Sequence, residues 1–86
     1  MAIPRPFVNV NIMSEQFSSE SVSVVLGWNE ELGVSYEVAV IPNVATTALS
    51  KTNMHLMMFY NTRYVVNVKA VLCGKHTVQI SHLHYG

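Results

Sequence analysis

Four histidines, one cysteine and a pair of adjacent glutamates are the residues of this 86-residue chain whose types could do chemistry. His82 and His84 lie two apart, so on a strand they project from one face, as two imidazoles sharing a zinc ion would. A structural zinc site takes four ligands, however, and no cluster of cysteine or acid accompanies the pair. His55 and His76 bear no spacing relation to it, so a solvated strand face is the better reading and no metal is expected. Glu30 and Glu31 resemble the paired carboxylates of acid–base catalysis, but neighbours in a turn face apart. Hydroxyls are plentiful, yet no Gly-x-Ser-x-Gly elbow, phosphate loop or base beside a nucleophile occurs. The expectation is a non-enzyme without a cofactor.

Cys73 is the one residue left over. A lone cysteine cannot form an internal disulfide, so it is either a free, half-buried thiol or one whose partner lies outside these residues. It opens Cys73-Gly74-Lys75-His76, which reads as a hairpin loop, and loop tips seldom pack their side chains.

Composition narrows the classes further. Half the residues are hydrophobic and only 12% are charged, against roughly 25% in an average soluble domain. Part of the surface is therefore uncharged, and a neighbour covering some of it is expected. Five basic residues, scattered singly, balance five acidic ones, with no basic stripe to neutralise phosphates, so nucleic acid is not an expected partner. Uninterrupted apolar stretches reach only four or five residues, so membrane insertion is not expected. Met1-Ala2-Ile3-Pro4-Arg5-Pro6 lacks the apolar region of a secretory leader, and Asn61-Thr62-Arg63 fails as a glycosylation sequon. A single domain spanning 1–86, cut from a longer chain, is the expected organisation.

The elements that would position these residues are strands. Fourteen valines and almost no long helical periodicity argue for an all-β fold. Pro4 and Pro6 suit the start of an edge strand, because proline cannot donate to a ladder. Val8, Val10 and Ile12 then alternate, predicting strand A at about 7–12, with 13–19 as a connection. Val22, Val24, Leu26 and Trp28 alternate in strand B (20–28). Val34, Tyr36, Val38 and then Val40 or Ile41 form strand C (34–41). The pattern weakens afterwards, predicting a short C′ at 44–49 and strand E at 52–57. Strand F (63–71) puts Tyr64, Val66, Val68 and Ala70 on one parity, with Arg63, Val65, Asn67 and Lys69 on the other. Strand G (77–85) is inconsistent: Val78 and Ile80 share one parity, Leu83 and Tyr85 the other. A bulge near Ser81-His82 would bring both pairs to the core.

Tyr64 opens the inward set of strand F just after the turn-like Tyr60-Asn61-Thr62. There its ring can be buried while its hydroxyl returns to backbone near 58–61, an arrangement called a tyrosine corner. Three segments then stand in order: Val22-x-Val24-x-Leu26-x-Trp28, Tyr36-x-Val38, and Met58-x-x-x-Thr62-x-Tyr64-x-Val66-x-Val68-x-Ala70. In that order they resemble the fibronectin type III family, from Pro4 to about Tyr85. The family's corner usually reads Leu-x-Pro-x-Thr-x-Tyr. Here Met58 stands for the leucine and Tyr60 for the proline, which leaves the corner less pre-set.

The resemblance implies a seven-stranded immunoglobulin-like β-sandwich, with sheets A-B-E and C′-C-F-G. The expected core is Val8, Val10, Val22, Val24, Leu26, Trp28, Tyr36, Val38, Tyr64, Val66, Val68, Ala70 and Ile80, with Trp28, Tyr36 and Tyr64 as its structural aromatics. In such a sandwich the F–G loop lies at the pole where strand A begins, making Cys73 a candidate for an inter-domain disulfide with a cysteine upstream. Domains of this kind are mostly spacers and interaction modules, so the expected function is an extracellular module in a tandem adhesion or matrix protein. The alternatives are a ligand-binding receptor ectodomain and an intracellular scaffold domain. Arg-Gly-Asp is absent, and the loops at 29–33 and 73–76 hold few aromatics, which disfavours loop-borne recognition. The outward parity of C, F and G offers a candidate interface instead: Ser35, Glu37, Ala39, Val65, Asn67, Lys69, Val71 and Gln79, joined by Ile41 if Val40 ends the inward set. A neighbouring domain or another copy of the chain, in weak self-association, is its expected partner.

Overall fold

The computed structural model describes residues 5–86, so Pro4 lies outside the described residues. Seven strands follow in order: β1 (Val10–Phe17), β2 (Ser21–Trp28), β3 (Ser35–Ile41), β4 (Thr46–Ser50), β5 (Asn53–Phe59), β6 (Thr62–Leu72) and β7 (Lys75–Tyr85). They form two antiparallel sheets, β1-β2-β5-β4 and β3-β6-β7. A β-sandwich results.

The strongest period-two segments build its centre. Val22, Val24 and Leu26 of β2 face Tyr64, Val66, Val68 and Ala70 of β6, and all are buried. Leu56 and Met58 of β5 complete this layer as the cross-strand partners of Val24 and Val22, and both are fully buried. Val40 of β3 and Val34, just before that strand, close it. Of the expected core, Val10, Tyr36 and Val38 are only partly buried, packing against its rim. Ile80 is 58% exposed and does not belong to it.

The segment expected as C′ joins the other sheet. β4 pairs with β5 through Thr46–Leu56, Thr47–His55 and Ala48–Met54, giving sheets of four and three strands instead of three and four. The cause is local. Only Lys51 and Thr52 separate β4 from β5, and a turn that short makes its two strands neighbours. β5 is already bound to β2, so β4 cannot reach β3.

Strand A also departs from expectation. The segment 13–19, read as a connection, continues the strand to Phe17 by way of a bulge between Ile12 and Ser14. One extra residue there, Met13, reverses the facing of the residues beyond it. Glu15 and Phe17 thus lie opposite the inward Val24 and Val22 and reach β7: the Tyr85 hydroxyl donates to the Glu15 carboxylate, and the Phe17 and Tyr85 rings meet edge-on at 5.9 Å. Desolvation first, and the Glu15 carboxylate next, hold the Tyr85 hydroxyl far above the ordinary phenol range. Nearer the start of β1, Gln79 Oε1 accepts from the Val10 N–H at 3.0 Å. Side chains from β1 and β7 therefore close one flank of the sandwich, and Ile12 is 45% exposed at that edge.

β7 has no bulge. It runs in unbroken register with β6, from Thr62–Tyr85 to Leu72–Lys75. A continuous ladder permits one parity only, and the one that includes Leu83 and Tyr85 faces inward. Thr77, Gln79 and Ser81 share it and are half-buried, whereas Val78 and Ile80 are turned out. Gln79, expected on the outer face, is thus on the inner one.

At the β5–β6 corner the Tyr64 hydroxyl accepts a hydrogen bond from the Phe59 N–H at 3.0 Å, while its ring is 2% exposed. Asn61 takes the left-handed conformation (φ 59°) that asparagine tolerates, which lets the chain turn between sheets. Tyr64→Phe leaves that N–H without its acceptor, so we expect a loss of about 1–2 kcal/mol in urea unfolding. An unchanged midpoint would mean that the corner does not depend on the hydroxyl.

Candidate contact face and its surroundings

Antiparallel register places the outward residues of β3, β6 and β7 in rows across one sheet. Ser35 stands opposite Val71 and His76, Glu37 opposite Lys69 and Val78, Ala39 opposite Asn67 and Ile80, and Ile41 opposite Val65 and His82. Ala39, Val65, Asn67, Lys69 and Val71 therefore share a face. Ile41 belongs to it as well, since Val40 is buried and Ile41 is 61% exposed.

Between the middle rows lies a shallow groove of about 330 Å³, lined by Glu37, Val38, Ala39, Asn67, Lys69, Val78 and Ile80. Val78 and Ile80, expected in the core, stand on this face instead, and with Ile41 they contribute most of its exposed apolar surface. The sequence does carry a signal for this: they share a parity with His82 and His84, which polar character alone places outside. The charges nearly cancel. Lys69 Nζ and Glu37 Oε2 approach to 4.0 Å with both side chains well exposed, a pair that contributes between nothing and about 1 kcal/mol. Asn67 Oδ1 is closed off from solvent yet accepts no hydrogen bond among the described residues.

The two histidines of β7 share this face, and the acidic candidates lie elsewhere. His82 and His84 project outward and exposed, opposite Val65 and Arg63, and among the described residues no three of His, Cys, Asp and Glu gather as a metal site would require. Glu31 does structural work: its Oε1 accepts from the Phe7 N–H at 3.0 Å and from Asn29 Nδ2 at 3.3 Å, tying the chain before β1 to the β2–β3 turn. The same turn is fastened by Tyr36, whose hydroxyl donates to the Asn29 carbonyl and accepts from the Glu31 N–H. This polar duty explains why Tyr36 is half-buried although its ring meets Trp28 at 6.0 Å.

Comparison with protein-family models, with curated proteins and with solved structures gives no match. The β-sandwich is set by this chain's own ladders. Its finer class and its activity rest on the residues alone.

Cys73 occupies the two-residue turn between β6 and β7. It is free and exposed, with φ 47°, and Gly74 follows at φ 80°. Two positive φ values in succession match the tight turn whose twist suits a hairpin, and an L residue at the first is tolerated rather than favoured. Arg5 and the tip residues Gly74, Lys75 and His76 line a common pocket, so the chain leading into β1 passes beside this turn.

Proposed function

We propose that this domain is a non-catalytic interaction module of the fibronectin type III kind, serving as one bead of a multidomain extracellular adhesion or matrix protein. The Tyr64–Phe59 hydrogen bond and the buried alternation of β2 and β6 support the family reading. A location outside the cell is inferred from that family reading. Cys73, on an exposed turn beside the incoming chain, is suitably placed for a disulfide to an upstream segment.

One observation carries the contact surface. The outer face of β3-β6-β7 presents Ile41, Val78 and Ile80 at 61%, 44% and 58% exposure around the nearly neutral Glu37–Lys69 pair, with Arg63 farther along β6. Covering such a face removes apolar area from water and strands few charges. A second copy fits it, because one acid and one base side by side remain complementary when the face meets itself about a twofold axis. Three strands at roughly 4.8 Å spacing give a narrow patch, so the contact belongs to the small, transient end of specific interfaces. Val78→Lys combined with Ile80→Lys tests this by sedimentation velocity across a concentration series. The parent chain should self-associate weakly at high concentration and the double variant should stay monomeric. Identical behaviour of the two would remove this face as the interface.

A further inference from the structure

The outer face of the other sheet carries a different chemistry. Near the β2–β3 turn, one cross-strand row of β1-β2-β5 reads Asn11, Gly27, Asn53. Beside it stand Asn9 and Asn29, joined by a hydrogen bond from the Asn9 N–H to Asn29 Oδ1 at 2.8 Å. Asparagine is depleted from strands, yet Asn11 and Asn53 lie within β1 and β5, with Asn9 and Asn29 just outside β1 and β2, and this convergence on one corner of a sheet needs a reason. Asn29 has a structural one, holding the backbone of Phe7 and Asn9. The side-chain amides of Asn9, Asn11 and Asn53 make no hydrogen bond among the described residues. They line a groove of about 300 Å³ together with Phe7, Met13 and Gly27.

Gly27 is what lets the Met13 and Asn53 side chains approach each other across this row. A Cβ there would stand 2.7 Å from Asn53 Oδ1 and 2.8 Å from Met13 Cγ, so any other residue would displace both walls. Phe7 and Met13, 62% and 63% exposed, form an apolar rim. No charged side chain lines the space.

We propose that this groove binds a neutral saccharide, seating a single pyranose ring. Each carboxamide offers an acceptor and two donors, and each sugar hydroxyl both donates and accepts, so amides on neighbouring strands match vicinal hydroxyls. The apolar rim covers the C–H face of the ring. The lack of a charged wall disfavours phosphate and acidic sugars, whose charge would be desolvated without a partner. The volume is at the lower limit of small-molecule pockets, roughly 300–1,000 Å³, and the groove is open, so affinity is on the order of millimolar. This site is independent of the proposed contact face and would stand if that face proved idle.

Backbone amide shifts of the isotopically labelled chain test it during titration with glucose, galactose, mannose, fucose and N-acetylglucosamine, each to tens of millimolar. At least one sugar should give saturable shifts centred on Asn11, Gly27 and Asn53. Asn11→Ala combined with Asn53→Ala should weaken that binding at least tenfold, while Val78→Lys with Ile80→Lys should leave it unaltered. Should the alanine pair fail to fold, Phe7→Ser on the exposed rim replaces it, with at least a threefold loss expected. No saturable shift from any of the five sugars would overturn the proposal. So would shifts that map elsewhere, or affinity that survives the groove variants.

Discussion

Trp28→Ala should cost about 3–5 kcal/mol in urea unfolding, a large share of the roughly 5–15 kcal/mol that holds a small domain together. Trp28 ends β2 on the inward parity, is 8% exposed and packs against Tyr36. Removing the indole leaves a cavity that the surrounding strands, fixed by their ladders, can only partly close. A second substitution separates packing from polarity. The indole Nε1 is buried without a hydrogen-bond partner among the described residues, so it contributes an unsatisfied donor. Trp28→Phe keeps an aromatic ring beside Tyr36 and deletes that donor, and should therefore cost no more than about 1.5 kcal/mol. A loss below about 1 kcal/mol for the alanine variant would show that Trp28 is not central.

Leu56→Ala is the second large effect, expected at about 2–5 kcal/mol. Leu56 is fully buried in β5, with Val24 of β2 on one side and Thr46 of β4 on the other. His55, its neighbour on the opposite parity, pairs across to Val25 and Thr47 on the outer face, and His55→Ala should stay within about 0.5 kcal/mol. Equal losses at the two positions would contradict the register of β5.

The two substitutions also mark where the sequence is and is not legible. β2 and β6 alternate cleanly, so their inward residues, Trp28 and Tyr64 among them, are apparent from parity alone. β5 contains Leu56, Met57, Met58 and Phe59 in succession, and a continuous apolar run hides which residues face in. Leu56 is therefore missing from the expected core. β4 is expected in the wrong sheet although a local rule, the two-residue Lys51–Thr52 turn, decides its neighbour. The bulge at Met13 and the single parity of β7 belong to a different class. Each depends on what the strand meets, Tyr85 across the sandwich for β1 and an unbroken β6 beside β7; nothing within β1 announces the first, and only the parity shared with His82 and His84 hints at the second. The contact face is half legible for the same reason. Its β3 and β6 residues come from alternation, while Val78 and Ile80 look like core until the ladder turns them outward.

The central proposal is that copies of this domain meet through the outer face of β3-β6-β7. A dilution series of the isotopically labelled chain, monitored by backbone amide shifts, tests that directly. Concentration-dependent shifts should cluster on Ala39, Ile41, Val65, Asn67, Lys69, Val71, Val78 and Ile80 and be absent from the Val78→Lys, Ile80→Lys chain. Shifts confined to β1, β4 or the turns, or none up to millimolar concentration, would contradict it.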